Sequence, residues 1–143
     1  MSRAEEFRIV IQASPASVWK VLADVRAWPD WAPTVTSVTT TATELVVGAT
    51  AQLEQPKIPT ATWTVTTVQP ERGFTWTSRS SGGVDVTADH ELHPKGADTE
   101  VVLRVTFAGL MAPVASLFGG RMTRSYLKQE AEGLKSRVEQ NAR

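Results

Sequence analysis

An α+β fold is predicted, with a seven-stranded antiparallel sheet covered on one face by a long C-terminal helix. Three observations predict it. The middle of the chain is rich in threonine and valine and is cut by turn signals into short segments. Apolar residues after Gly109 recur at helical spacing. A short helical pattern follows the first strand-like stretch.

That first stretch, EEFRIVIQ at 5–12, sets Phe7, Ile9 and Ile11 against Arg8, Val10 and Gln12. This is the alternation of a strand with one buried face. In SPASVWKVLADV, Ser14 suits an N-cap and Pro15 suits the first helical position, where a missing N–H costs nothing. Val18, Val21, Leu22 and Val25 share one helical face, so a helix of about three turns is expected to end near Asp24. A capping box would want Glu or Gln at 17, where this chain has Ser17.

Next comes DVRAWPDWAP, residues 24–33, with two tryptophans in a proline-broken stretch. Trp28 precedes a proline and is expected to be extended, with Pro29 opening a second short helix and Asp30 near its positive end. Asp24 and Asp30 are expected to act as local caps. Six further strands are expected near 34–41, 49–55, 60–69, 73–79, 84–93 and 99–108. The punctuation between them is Gly48, PKIP, QPERG, SSGG and HPKGAD. Such short connections imply antiparallel neighbours.

In the C-terminal segment Leu127, Ala131, Leu134 and Val138 form an apolar stripe, beside the charged residues Lys128, Glu132, Lys135 and Glu139. Met111, Val114, Phe118 and Met122 form a second apolar stripe. At about 100° per residue the two stripes point half a turn apart. Gly119 and Gly120 lie between them, each costing a helix about 1 kcal/mol. A kink or break is therefore expected there, with the long helix running from about Arg121 to Gln140.

The 143 residues are expected to form one domain, 1–143. A domain of that size buries roughly 70% of its unfolded surface. Fifteen basic and fifteen acidic residues cancel, so no global field draws nucleic acid. The absence of cysteine excludes disulfides, thiol catalysis and cysteine metal sites. The charged N-terminus lacks a signal-peptide core, and no segment reaches the roughly 18 apolar residues of a membrane span. A cytoplasmic protein is expected. No P-loop or dinucleotide glycine motif, HExxH or GxSxG turn occurs, so neither a metal nor a nucleotide cofactor is expected.

The stretches FRIVIQASPASVWKVLADVRAWPDWAP, TWTVTTVQPERGFTWTS, DHELHP and TEVVLRVTFAGL resemble the START-like, Bet v 1-like superfamily, also called SRPBCC. Within it they are similar to the bacterial polyketide cyclase/dehydrase and lipid-transport group. The first block is the most specific. The resemblance implies a helix-grip: a curved antiparallel sheet around the C-terminal helix, one or two short helices after the first strand, and a cavity between sheet and helix.

Under that resemblance the 24–33 stretch sits at one end of the cavity. Its tryptophans either line the cavity or plug the end of the sheet; the reading assigns Trp28 to the wall and Trp31 to the plug. Alternation in VDVTADHELH puts His90 on the apolar face with Val86, Ala88 and Leu92. Two roles are open to it: a hydrogen-bonding or proton-transferring group in an apolar pocket, or a buried histidine satisfied by a carbonyl or water. His93 falls on the opposite face, so the pair is not a metal site. Trp63 with Val65, Phe74 with Trp76 and Ser78, and Leu103 with Val105 and Phe107 form one-face sets; core packing is their more common fate, and a pocket wall under a single covering helix is the other. Arg79 and Arg104 face the other way and are expected in solvent. Tyr126, the one tyrosine, lies near the apolar side of the last helix and needs a hydroxyl partner if buried.

Three functions follow. The first is binding of a small hydrophobic ligand, lipid or polycyclic, by Trp28, Trp63, Trp76, His90, Phe107, Phe118, Met122 and Tyr126. The second is a cyclase, aromatase or dehydratase with His90 and Tyr126 handling protons. The third is a protein-interaction module, hinted at by Ile58 at the tip of the PKIP turn.

Overall fold

A computed structural model describes residues 3–79, 83–109 and 112–142, with side chains of residues 3 and 112–119 outside the description. Seven strands form one antiparallel sheet: β1 (Arg3–Ile11), β2 (Ser37–Thr39), β3 (Thr50–Glu54), β4 (Ala61–Gln69), β5 (Gly73–Arg79), β6 (Asp85–Lys95) and β7 (Asp98–Ala108). Their spatial order is β1-β7-β6-β5-β4-β3-β2. Every consecutive pair from β2 to β7 is a neighbour, and β1 closes onto β7. The sheet is curved, and a bulge interrupts the β4–β5 ladder between Val65 and Thr67, a feature that bends a strand.

Between β1 and β2 lie α1 (Pro15–Leu22) and a 3-10 helix, Val25–Asp30. The Ser14 hydroxyl caps α1 by accepting from the Ser17 amide at 3.2 Å. Val18 and Leu22 are buried. The Thr99 hydroxyl on β7 donates to the Ala13 carbonyl, fixing the entry to α1 against the sheet.

Three local expectations are corrected. Trp28 is not extended: the 3-10 helix begins at Val25, contains both Trp28 and Pro29, and ends at Asp30, so Pro29 does not open it and Asp30 is not at its positive end. Burial of the indole and its hydrogen bond to the Leu22 carbonyl outweigh the local bias before proline. The Asp24 carboxylate makes no capping bond. The helix break at Gly119–Gly120 does not occur: α2 runs unbroken over Ala112–Asn141. Tertiary contacts along the sheet override the glycine propensity cost. Glu5 on β1 lies beside Gly120 and pairs with Arg124 at 3.2 Å.

Further along, Leu127, Ala131, Leu134 and Val138 are buried against the sheet, as their stripe requires. At the C-terminal end Lys135 donates to the Val10 carbonyl and to Glu139, and the Gln12 amide donates to the same Glu139 carboxylate. Met111 and the side chains of Val114 and Phe118 lie outside the described residues. No helix among the described residues is long and apolar enough to cross a membrane.

Candidate functional site

The sheet and α2 do not close completely on one another. A cavity of about 680 Å³ lies between them, bounded by β4–β7, α2, the 24–33 stretch and the β3–β4 connection. That volume falls within the range of small-molecule sites.

Aromatic rings make one end of the cavity. Trp28 is 2% exposed, and its Nε1 donates to the Leu22 carbonyl at 2.9 Å. Its ring lies 5.2 Å from that of Trp76 and 5.7 Å from that of His90. Trp63 stacks on Trp76 at 5.6 Å and 30°. Trp28, Trp63 and Trp76 all line the cavity, whereas Trp31 packs outside it. The Trp31 carbonyl sits so close to α2 that a Cβ at Gly133 would meet it at 2.1 Å.

His90 is 4% exposed and faces inward from β6. Its cross-strand partner is Phe74, and the two rings stack at 4.1 Å and 8°. Their close pairing continues at Gly73, which has φ +145° and where any Cβ would strike the His90 carbonyl oxygen. Only glycine suits that position. His90 Nδ1 lies 3.2 Å from the Phe74 carbonyl oxygen. A carbonyl only accepts, so Nδ1 is the nitrogen that carries hydrogen. Nε2 then faces α2, where the Glu130 Oε1 lies 3.5 Å away. Glu130 is 14% exposed. The contact has ion-pair distance without hydrogen-bond geometry, so Oε1 is buried with no hydrogen-bond partner. Trp63 Nε1 is a second buried, unbonded polar atom in the wall.

The sequence reading missed Glu130. Its signal is positional: three residues after Leu127 and four before Leu134, it lies at the edge of the buried stripe. Phe107, Met122 and Tyr126 also line the cavity, while the side chain of Phe118 lies outside the description. Tyr126 and His90 are not brought into hydrogen-bond contact. The Tyr126 hydroxyl instead donates to the Pro56 carbonyl in the β3–β4 connection. Ile58, expected at an exposed tip, is half-buried and lines the cavity.

On the outer face of the sheet Arg79 is 89% exposed, as expected. Arg104 is not simply solvated: its guanidinium bridges Glu6 at 2.9 Å and Glu91 at 2.6 Å. Hydrogen bonds from Arg8 and then Arg104 hold the Glu6 carboxyl below its ordinary value. Burial pushes Glu91 up, but hydrogen bonds from His93 and Arg104 outweigh it and its pKa is lowered. His93 pairs with Glu91 on this outer face, away from His90. Among the described residues no cluster of three or more histidine or acidic side chains is placed to hold a metal ion.

A curved antiparallel sheet gripping a long C-terminal helix over a side-chain-lined cavity defines the START-like, Bet v 1-like (SRPBCC) class. Residues 4–139 match the family model described as polyketide cyclase/dehydrase and lipid transport, and the chain belongs to that family. No curated protein matches it in sequence. Among solved structures it is similar to a Thermus thermophilus protein, at 15% identity and TM-score 0.79, covering 99% of this chain and 100% of that one. It is also similar to the Zhui aromatase/cyclase of a Streptomyces species, at 18% identity and TM-score 0.76, covering 100% and 97%. Norcoclaurine synthase from Thalictrum flavum, solved with dopamine and hydroxybenzaldehyde, aligns at 14% identity and TM-score 0.78, covering 98% and 88%. At these identities the likeness is one of fold.

Proposed function

We propose that the protein binds a small, flat hydrophobic ligand in the cavity between the sheet and α2. The observation that carries this reading is the cavity of about 680 Å³ with three indoles in its wall. A core of this size would ordinarily be filled by side chains. Indole faces supply large apolar area with fixed orientation, which favours planar partners. Family membership supports the same reading. The test is tryptophan fluorescence against a panel of fatty acids, quinones and polycyclic aromatics. A saturable change with at least one class is expected; a flat response across the panel overturns the proposal.

One specific observation favours a second reading, an enzyme of the cyclase, aromatase or dehydratase type. His90 Nε2 and the Glu130 carboxylate meet in the cavity wall. In that role His90 takes a proton from a bound substrate, Glu130 stabilises the imidazolium, and the proton returns to a departing hydroxyl as water leaves. Turnover of a candidate substrate that survives His90→Phe unchanged removes this reading.

A further inference from the structure

We infer that Glu130 is the specificity determinant of the cavity, selecting a ligand that carries a neutral hydroxyl or similar hydrogen-bond donor and rejecting one that carries a carboxylate. The inference rests on the ligand-binding reading and goes beyond it in naming the group recognised. Three observations support it. Glu130 is largely buried in the cavity wall, and its Oε1 is a buried acceptor without a hydrogen bond. Oε1 itself is covered by protein, so a ligand donor meets it by a small turn of the partly exposed Glu130 side chain, and the short, charge-assisted bond then formed offsets the cost of the unfilled acceptor.

The second observation is the distribution of cations around the cavity. His90 is the titratable group that faces Glu130 from the sheet. The Arg104 guanidinium is turned to the outer face and held there by Glu6 and Glu91. Arg79 stands in solvent at the rim, 3.8 Å from Asp85. An acid head group entering the cavity would therefore meet a carboxylate in a low-dielectric wall, with no arginine or lysine ion pair to offset it among the described interactions there. The third is Trp63, whose Nε1 is a buried donor with no partner. That atom is covered by protein, so a ligand oxygen supplies the acceptor it lacks only with a shift of the indole. The pattern fits a hydroxylated or keto-hydroxylated ring system and disfavours a free fatty acid.

Three probes share one ring and differ in one group: naphthalene, 2-naphthol and 2-naphthoic acid. Equilibrium dialysis at pH 7.5 gives their affinities for the wild-type chain and for Glu130→Gln. The expected wild-type order is naphthol, then naphthalene, then naphthoate, with naphthol about tenfold tighter than naphthalene, as a hydrogen bond to a charged group provides. In Glu130→Gln the naphthol advantage shrinks to within about threefold and naphthoate tightens by about tenfold, because the amide keeps the shape and removes the charge. Naphthoate binding the wild type as tightly as naphthol overturns the inference, as does an order untouched by the substitution. Should the variant fold poorly, the wild-type order alone decides. If none of the three probes binds the wild type while the fluorescence panel still responds, this inference alone falls; a flat panel removes the ligand-binding reading and this one with it.

Discussion

His90 on β6 and Glu130 on α2 face each other across the cavity wall, Nε2 to Oε1 at 3.5 Å, with the imidazole otherwise anchored by the Phe74 carbonyl. The pair joins the sheet to the helix. A buried carboxylate without a hydrogen bond destabilises a fold. Its presence in the wall marks a position where stability has been set against something else.

That relationship predicts that Glu130→Leu stabilises the protein. The substitution removes a buried carboxylate oxygen that has no hydrogen bond and adds apolar contact with Leu127 and Leu134, its neighbours on the helix face. His90 keeps its bond to the Phe74 carbonyl. A gain of about 1–3 kcal/mol is expected, seen as a Tm several degrees higher in a calorimetric scan. A lower Tm would mean that the His90–Glu130 contact holds helix and sheet together.

The two glycines flanking the middle of α2 predict opposite outcomes for the same substitution. At Gly133 a Cβ would lie 2.1 Å from the Trp31 carbonyl oxygen, a backbone atom that cannot step aside cheaply. Gly133→Ala is expected to cost about 1–3 kcal/mol by overpacking, despite the better helix propensity of alanine. At Gly120 the nearest atom is the Glu5 Oε1 at 3.3 Å, the end of a flexible side chain. Gly120→Ala is expected to be neutral or to stabilise by up to about 1 kcal/mol. Urea unfolding of both variants checks the pair, and equal effects would contradict it.

The sequence made the architecture legible because its signals were local. Alternation in EEFRIVIQ, the Ser14–Pro15 helix start and the Leu127–Val138 stripe each report on a neighbourhood of a few residues. The register of Phe74 with His90 is a pairing between strands, and alternation alone says only that both face inward. Glu130 was hidden for a similar reason. It sits at the border of the buried stripe, where only the position of the facing strand decides whether a glutamate meets solvent or a histidine. The unbroken α2 at Gly119–Gly120 lies against β1, whose Glu5 is far away in sequence and sits beside Gly120, a neighbour that local propensity does not register. Trp28 escaped its local preference through a hydrogen bond to Leu22 and a ring cluster drawn from β5 and β6.

On the outer face, the lowered pKa values of Glu6 and Glu91 predict an acid-sensitive contribution to stability. Both carboxylates are easier to ionise folded than unfolded, so their contribution is complete above the ordinary value of 4.5. It is lost as pH falls through their lowered folded values. Arg104 stays charged over that whole range, since Glu91 and then Glu6 raise its pKa further. Arg104→Met is expected to lower stability by about 1 kcal/mol at pH 7, in keeping with partly exposed pairs in a network. The gap between variant and wild type should close as both carboxylates protonate. Urea titrations at pH 7 and at successively lower pH measure it. A gap that persists in acid would assign the effect of Arg104 to packing of its stem.

At the cavity mouth, Tyr126 ties α2 to the connection between β3 and β4 through the Pro56 carbonyl. The same connection presents Ile58 to the cavity and carries Lys57 at φ +68°, a left-handed conformation uncommon for lysine. A strained turn fastened to a helix through a side-chain hydrogen bond opens more easily when that bond is removed. Tyr126→Phe keeps the ring in the wall and deletes only the hydroxyl. It is expected to cost about 1 kcal/mol and to speed exchange of the Ile58 amide, which donates to the Gln55 carbonyl, by several-fold, while Leu134 and Val138 exchange as in the wild type. Hydrogen exchange followed by NMR reads both sites together. Unchanged exchange at Ile58 would show that the turn is held by its own backbone and by Ile58 packing, and that Tyr126 does not fasten it.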